Sequence, residues 1–85
     1  MSWPDWWSWE LELTPHVEKR MEDRSFTETD LRSMLQRATG HRLDHVEGRF
    51  LVETRHAGAA WHVIVEPDDE AQLLVVVTCY PSGRP

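Results

Sequence analysis

Residues 49–80, RFLVETRHAGAAWHVIVEPDDEAQLLVVVTCY, constrain the fold more than any other stretch of the chain. Three runs of β-favouring residues are separated by two short turn signals, at 57–60 and 67–70, of a length and composition that hairpin loops use. The segment therefore predicts an antiparallel meander. Pairing His56 with Trp61 places Phe50, Val52, Thr54, His56, Trp61, Val63 and Val65 on one face, because paired residues share a face. Pairing Val65 with Leu73 adds Leu73, Val75, Val77 and Cys79 to this closed face. The opposite, open face then carries Leu51, Glu53, Arg55, His62, Ile64, Leu74, Val76, Thr78 and Tyr80, with Arg55 directly across from His62. A slip of one residue in either turn would exchange the faces of one strand.

A sheet with one apolar face needs something to cover it, and the preceding residues supply two helices. Thr14 can cap and Pro15 is preset for a first turn, predicting a helix to about Asp23 with Val17 and Met21 directed inward. His16, Arg20 and Arg24 recur at the same spacing on an adjacent side, and they repel one another unless Glu18, Glu22 and Asp23 offset them. Thr27 to Asp30 fits a capping box, and Leu31, Met34, Leu35 and Ala38 follow at helical spacing, with Gly40 as the expected stop. A short strand at 42–46 then turns through Glu47-Gly48 into the meander.

Four of the five tryptophans lie in the first nine residues, where Trp7, Trp9, Leu11 and Leu13 alternate with polar residues and predict a strand at 7–13. Trp3 and Trp6 either cap the edge of the core or form a patch for a partner. The order strand, helix, helix, strands predicts an α+β domain with two N-terminal helices on one face of a curved, mainly antiparallel sheet of four to five strands. One domain over 1–85 is expected, with a Trp-rich segment at 1–6 and a frayed tail at 81–85.

Composition narrows the functional classes. The net charge of -6 weighs against a general nucleic-acid binder, yet it is distributed as -4 over 1–18, +1 over 19–65 and -3 over 66–85. The middle of the chain is nearly neutral, so local basic patches can form. The single cysteine, Cys79, excludes an internal disulfide and a multi-cysteine zinc site, and suits a reducing cytoplasm. A signal peptide, a membrane span, a phosphate loop, a dinucleotide fingerprint, a zinc-protease helix and a serine elbow are all missing from the sequence, so neither a membrane role nor a cofactor is expected. His41 and His45 share one side of an extended segment but have no cysteine or clear acid partner for a metal, and His56 beside Trp61 reads as a packed histidine.

Two parts of the chain resemble a known family. The segment HVEKRMEDRSFT at 16–27 looks like the opening helix of the bacterial domain of unknown function 4258, and GRF at 48–50, WHVIV at 61–65 and VTCY at 77–80 resemble its strands. Val17 departs from the small residue usual there. The resemblance implies membership of the barnase-EndoU-colicin-RelE superfamily of metal-independent ribonucleases, many of them toxins, with two helices against a curved sheet and RNA on its open face. It transfers to His16, Arg20, Arg24, Thr78 and Tyr80.

Metal-free RNA cleavage needs a base for the 2'-hydroxyl, an acid for the leaving 5'-oxygen and cations for the phosphate. Histidine can take either proton role, and arginine grips phosphate oxygens in a fork. The candidate catalytic residues are His16, Arg20, Arg55, His62 and Tyr80, with Arg24 and Thr78 binding substrate. Such an enzyme is expected to have RNA as substrate and an antitoxin or immunity protein as partner. A second expectation is a non-catalytic protein-interaction domain of the same fold, using its tryptophans and acidic ends. His62, Arg55, Thr78 and Tyr80 are also ordinary residues for an open sheet face.

Overall fold

The computed structural model describes residues 4–82. A 3-10 helix at Asp5–Ser8 leads into β1 (Glu10–Leu13), followed by helices α1 (Pro15–Asp23) and α2 (Glu28–Gln36). Strands β2 (Gly40–Leu43), β3 (Phe50–His56), β4 (Ala59–Asp68) and β5 (Leu73–Pro81) complete the order. The five strands form one mixed sheet in the order β1-β5-β4-β3-β2, with β1 parallel to β5 and the other neighbours antiparallel. The protein is thus α+β, with both helices before the meander as expected.

Local signals account for both helix starts. The Thr14 side chain accepts a bond from the Val17 amide at 3.2 Å, and Pro15 opens α1 where its missing N–H costs nothing. Thr27 and Asp30 close the reciprocal capping box, with bonds of 2.9 and 3.2 Å. Gly40, in contrast, does not stop α2. The helix ends at Gln36, and the Thr39 amide and hydroxyl both donate to the Glu53 carbonyl, at 2.8 and 3.3 Å, so Gly40 already opens β2.

The N-terminal strand is also shorter than the alternation of tryptophans suggests. The Trp7 amide bonds the Pro4 carbonyl and the Trp9 amide bonds Trp6, which coils residues that would otherwise extend. The coil turns Trp6 under the sheet, where it is buried against Phe50 at a ring separation of 5.0 Å. Trp6 therefore closes the core edge; Trp3 lies outside the described residues. At the other end, Pro81 stays in β5 opposite Trp61 and the Ser82 amide bonds the Ala60 carbonyl, so the expected fraying does not begin at 81. The strand expected at 42–46 falls at Gly40–Leu43, because the Asp44 amide bonds the Arg49 carbonyl and closes the loop.

Both helices cover the closed face. Val17 and Met21 seat α1 along β5, while Leu31, Met34 and Leu35 seat α2 over β3. Beneath them lie Val52, Val63, Val65, Leu74, Val76 and Cys79, and each fully buried aliphatic side chain contributes about 1.5–3 kcal/mol. Thr54, the buried polar side chain of this layer, donates its hydroxyl to the Met34 carbonyl.

Two features correct the expected register. The first turn is two residues, Ala57-Gly58, both at positive φ (52° and 80°), which matches the twist that hairpin strands need. Trp61 consequently faces Thr54 rather than His56, and Arg55 faces Ala60 rather than His62. The shift is two residues, so the faces survive. In β5, Ile64 pairs with Thr78 but Val65 pairs with Val76, leaving Val77 as an extra, bulged residue. Leu74 and Val76 therefore point into the core, and Leu73 and Val75 do not, the reverse of the expectation for this half of the strand. Cys79, Thr78 and Tyr80 keep their expected faces.

Ala57 sits in a left-handed conformation that L-residues with a plain Cβ avoid. The Ala57→Asn variant, which gives the favoured Asn-Gly turn, is expected to be more stable by about 0.5–1 kcal/mol. Denaturant titration checks this, through a higher midpoint at unchanged slope.

Candidate functional site

The site begins at the junction of β1 and α1. β1 accompanies β5 only as far as Val76, and from there α1 runs along the edge of β5 that has no strand neighbour. Thr14 ties this junction down. Its amide bonds the Val76 carbonyl, and its hydroxyl is directed at the Val76 and Val77 carbonyls, 2.9 and 3.0 Å away. Two residues on, His16 is carried over the rim, and its Nε2 lies 3.0 Å from Thr78 Oγ1 in a hydrogen bond. A helix residue and an open-face strand residue 62 positions apart are thereby joined.

Across the sheet from this contact runs a polar row. Tyr80 pairs with His62, His62 with Glu53, and Glu53 with Gly40. The Tyr80 and His62 rings meet edge to face at 5.6 Å. Gly40 leaves room for the Glu53 carboxylate, which an added Cβ would approach to 3.3 Å. Arg42 binds that carboxylate at 2.8 Å. The next row, Arg42, Leu51, Ile64 and Thr78, places the buried Ile64 as an apolar floor beside the polar one.

The charges around these rows are not equally committed. Arg42 is paired with Glu53, Arg49 with Glu66 at 3.0 Å, and Lys19 with Asp23 at 3.0 Å. Among the described residues, Arg20 and Arg24 have no carboxylate partner. They continue the His16 stripe along the rim, and Arg24 stands over the Trp61 ring at 5.7 Å, a cation–π contact. Both also act on Cys79. Burial pushes the Cys79 thiol up from its ordinary range, while the positive charges of Arg20 and Arg24 pull it the other way. Burial is the larger effect, and the thiol stays protonated and shielded.

The structure thus joins His16 to Thr78 in one row of the open face and Tyr80 to His62 in the next, and places Arg20 and Arg24 on the rim beside Cys79 and Trp61 of the closed face. Arg55 lies on the same open face but two pairs further along, opposite Ala60, with its guanidinium bonded to the Gly58 carbonyl at 2.9 Å. It still borders the hollow of about 300 Å³ that Glu53 and His62 also line. Sequence reasoning missed Glu53 as the direct partner of His62. The Ala57-Gly58 pair was the available signal, since a two-residue loop there gives that pairing.

His56 packs between Phe26 and Trp61, at 5.2 and 5.7 Å, as its closed-face position suggests. His41 lies in β2 near Trp6 and Trp7, whereas His45 is exposed beyond the strand end, so the two do not converge. Chemically, the arrangement offers two imidazoles and a phenol for proton transfer, and guanidinium groups at the rim for an oxyanion.

No helix among the described residues is long and apolar enough to cross a membrane. No curated protein and no solved structure matches the chain. A family model does match, over residues 13–81, which takes in the last residue of β1, both helices and the whole meander with the site residues on them. The chain belongs to the family described as domain of unknown function 4258.

Proposed function

We propose that this protein is a metal-independent endoribonuclease of the toxin type, with a RelE- or barnase-like fold, held in check by an antitoxin or immunity partner. The observation that carries this reading is the bond between His16 and Thr78, which closes the gap between the cationic helix stripe and the polar strand row. In this reading an RNA phosphate lies over the contact, against both. One histidine, His16 or His62, takes the 2'-hydroxyl proton as the 2'-oxygen attacks phosphorus. The other, or Tyr80, protonates the 5'-oxygen as its bond to phosphorus breaks, leaving a 2',3'-cyclic phosphate. Arg20 and Arg24 hold the charge that builds on the phosphoryl oxygens, and Thr78 orients His16.

The test is expression in a bacterial host, followed by incubation of the purified protein with RNA. Growth arrest is expected, as is cleavage to cyclic-phosphate ends that proceeds undiminished in EDTA. Harmless overexpression with intact RNA, or activity lost in EDTA and restored by a divalent ion, overturns the proposal. A second reading, a protein-interaction domain, is supported by the exposure of Leu43 (74%) at the end of β2 and Val46 (39%) just past it, and by the net charge of -6. Harmless expression favours it.

A further inference from the structure

The hairpin at the end of the sheet holds a second set of uncommitted cations. Arg37, just past α2, donates from Nη2 to the Arg55 carbonyl at 3.2 Å. Arg55 donates from Nη2 to the Gly58 carbonyl at 2.9 Å. Each guanidinium is held by a backbone carbonyl of one hairpin, and among the described residues neither has a carboxylate partner. Together with His56, Ala57 and Gly58 they line an open hollow of about 430 Å³.

Bringing two guanidinium groups and an imidazole to one hollow without an acid is unfavourable for a folded chain in isolation. An anion reverses the sign of that interaction. A carbonyl uses only one of the five N–H donors of a guanidinium, leaving the rest of the fork for oxygens of a ligand. His56 is itself fixed by Phe26 and Trp61, so its ring is presented at little cost in order. Trp61 also carries Arg24, which links this hollow to the end of the α1 stripe.

We infer that Arg37, Arg55 and His56 form a phosphate-binding site on the β3–β4 hairpin, separate from the His16–Thr78 cluster, which holds a backbone phosphate of a single-stranded RNA away from the bond that is cut. Its assignment to RNA rests on the function proposed above; its affinity for phosphate does not. Arg55 then grips a phosphate of the hairpin site, not the phosphate at the cleaved bond, where its expected pairing with His62 placed it.

Nuclear magnetic resonance of the intact protein tests this. Titration with inorganic phosphate is expected to shift the Gly58 amide and the His56 ring. Arg37→Gln and Arg55→Gln should each weaken that response about tenfold, the loss of one charge-assisted contact, while Lys19→Gln leaves it unchanged. A fully 2'-O-methylated RNA strand, which cannot be cleaved, should shift the same signals together with Thr78 and Tyr80. Absence of any shift at Gly58 and His56 with either ligand overturns the site, as does a response in the two arginine variants as strong as in the unsubstituted protein. Phosphate shifts in a protein that cleaves no RNA uphold the hairpin site while the proposed function fails. Shifts at Thr78 and Tyr80 alone, with cleavage intact, overturn the hairpin site and leave the function standing.

Discussion

A double variant, His16→Ala with Arg20→Ala, is expected to fold normally and to lose RNA cleavage and toxicity by about a hundredfold or more. Neither side chain belongs to the buried stripe of α1, which is Val17 and Met21. The bond from His16 to Thr78 is exposed, so its removal changes stability by about 1 kcal/mol at most. Arg20 is half-buried yet has no carboxylate among the described residues, so its loss strands no partner charge. Activity and thermal unfolding measured on the same preparation separate the possibilities. Full activity sinks the proposed site, and a large fall in melting temperature makes the pair structural.

The largest effect on stability is expected at the opposite end of the closed face. Trp6 is 8% exposed and touches Trp7, Phe50 and His41, filling the part of the face that the two helices do not reach. Trp6→Ala should cost about 3–5 kcal/mol, the usual range for an aromatic cut to alanine in a core. For a chain of this size that lowers the melting temperature by roughly 12 °C or more. Calorimetry on the purified variant measures this directly. An unchanged melting temperature combined with loss of a protein partner would instead make this tryptophan part of a docking patch.

The parts of this fold that were legible in sequence are those set by neighbours in the chain. The Thr14-Pro15 start and the Thr27–Asp30 box depend on contacts three residues apart, and both formed as expected. The alternation in β3 likewise fixed which of its residues are buried. What escaped depends on distant partners. The parallel pairing of β1 with β5 joins residues more than sixty positions apart, and no local pattern records it. Gly40 resembled a helix stop, but the carbonyl of Glu53 draws Thr39 into the sheet first.

The site shows the same division. His16, Arg20 and Arg24 could be aligned from helical spacing alone. That His16 meets Thr78 follows from Thr14 gripping β5, a contact across 62 residues. Arg55 was misplaced against His62 because Ala57-Gly58-Ala59-Ala60 admits a two-residue or a four-residue loop. The positive φ that decides between them is written only in Gly58, since alanine gives no hint of it.

The bulge at Val77 makes chain length, rather than residue identity, the quantity that this family member cannot trade. Upstream of it, even-numbered residues of β5 fill the core; downstream, even-numbered residues are solvent-side. Substituting Val77 by another β-branched residue leaves both halves of the strand in phase. Deleting it would force one half to rotate by half a turn, sending Thr78 and Tyr80 inward or Leu74 and Val76 outward. A library of random variants is therefore expected to tolerate many letters at this position and no gap, an asymmetry that marks where a single residue of slack lets one strand serve two purposes.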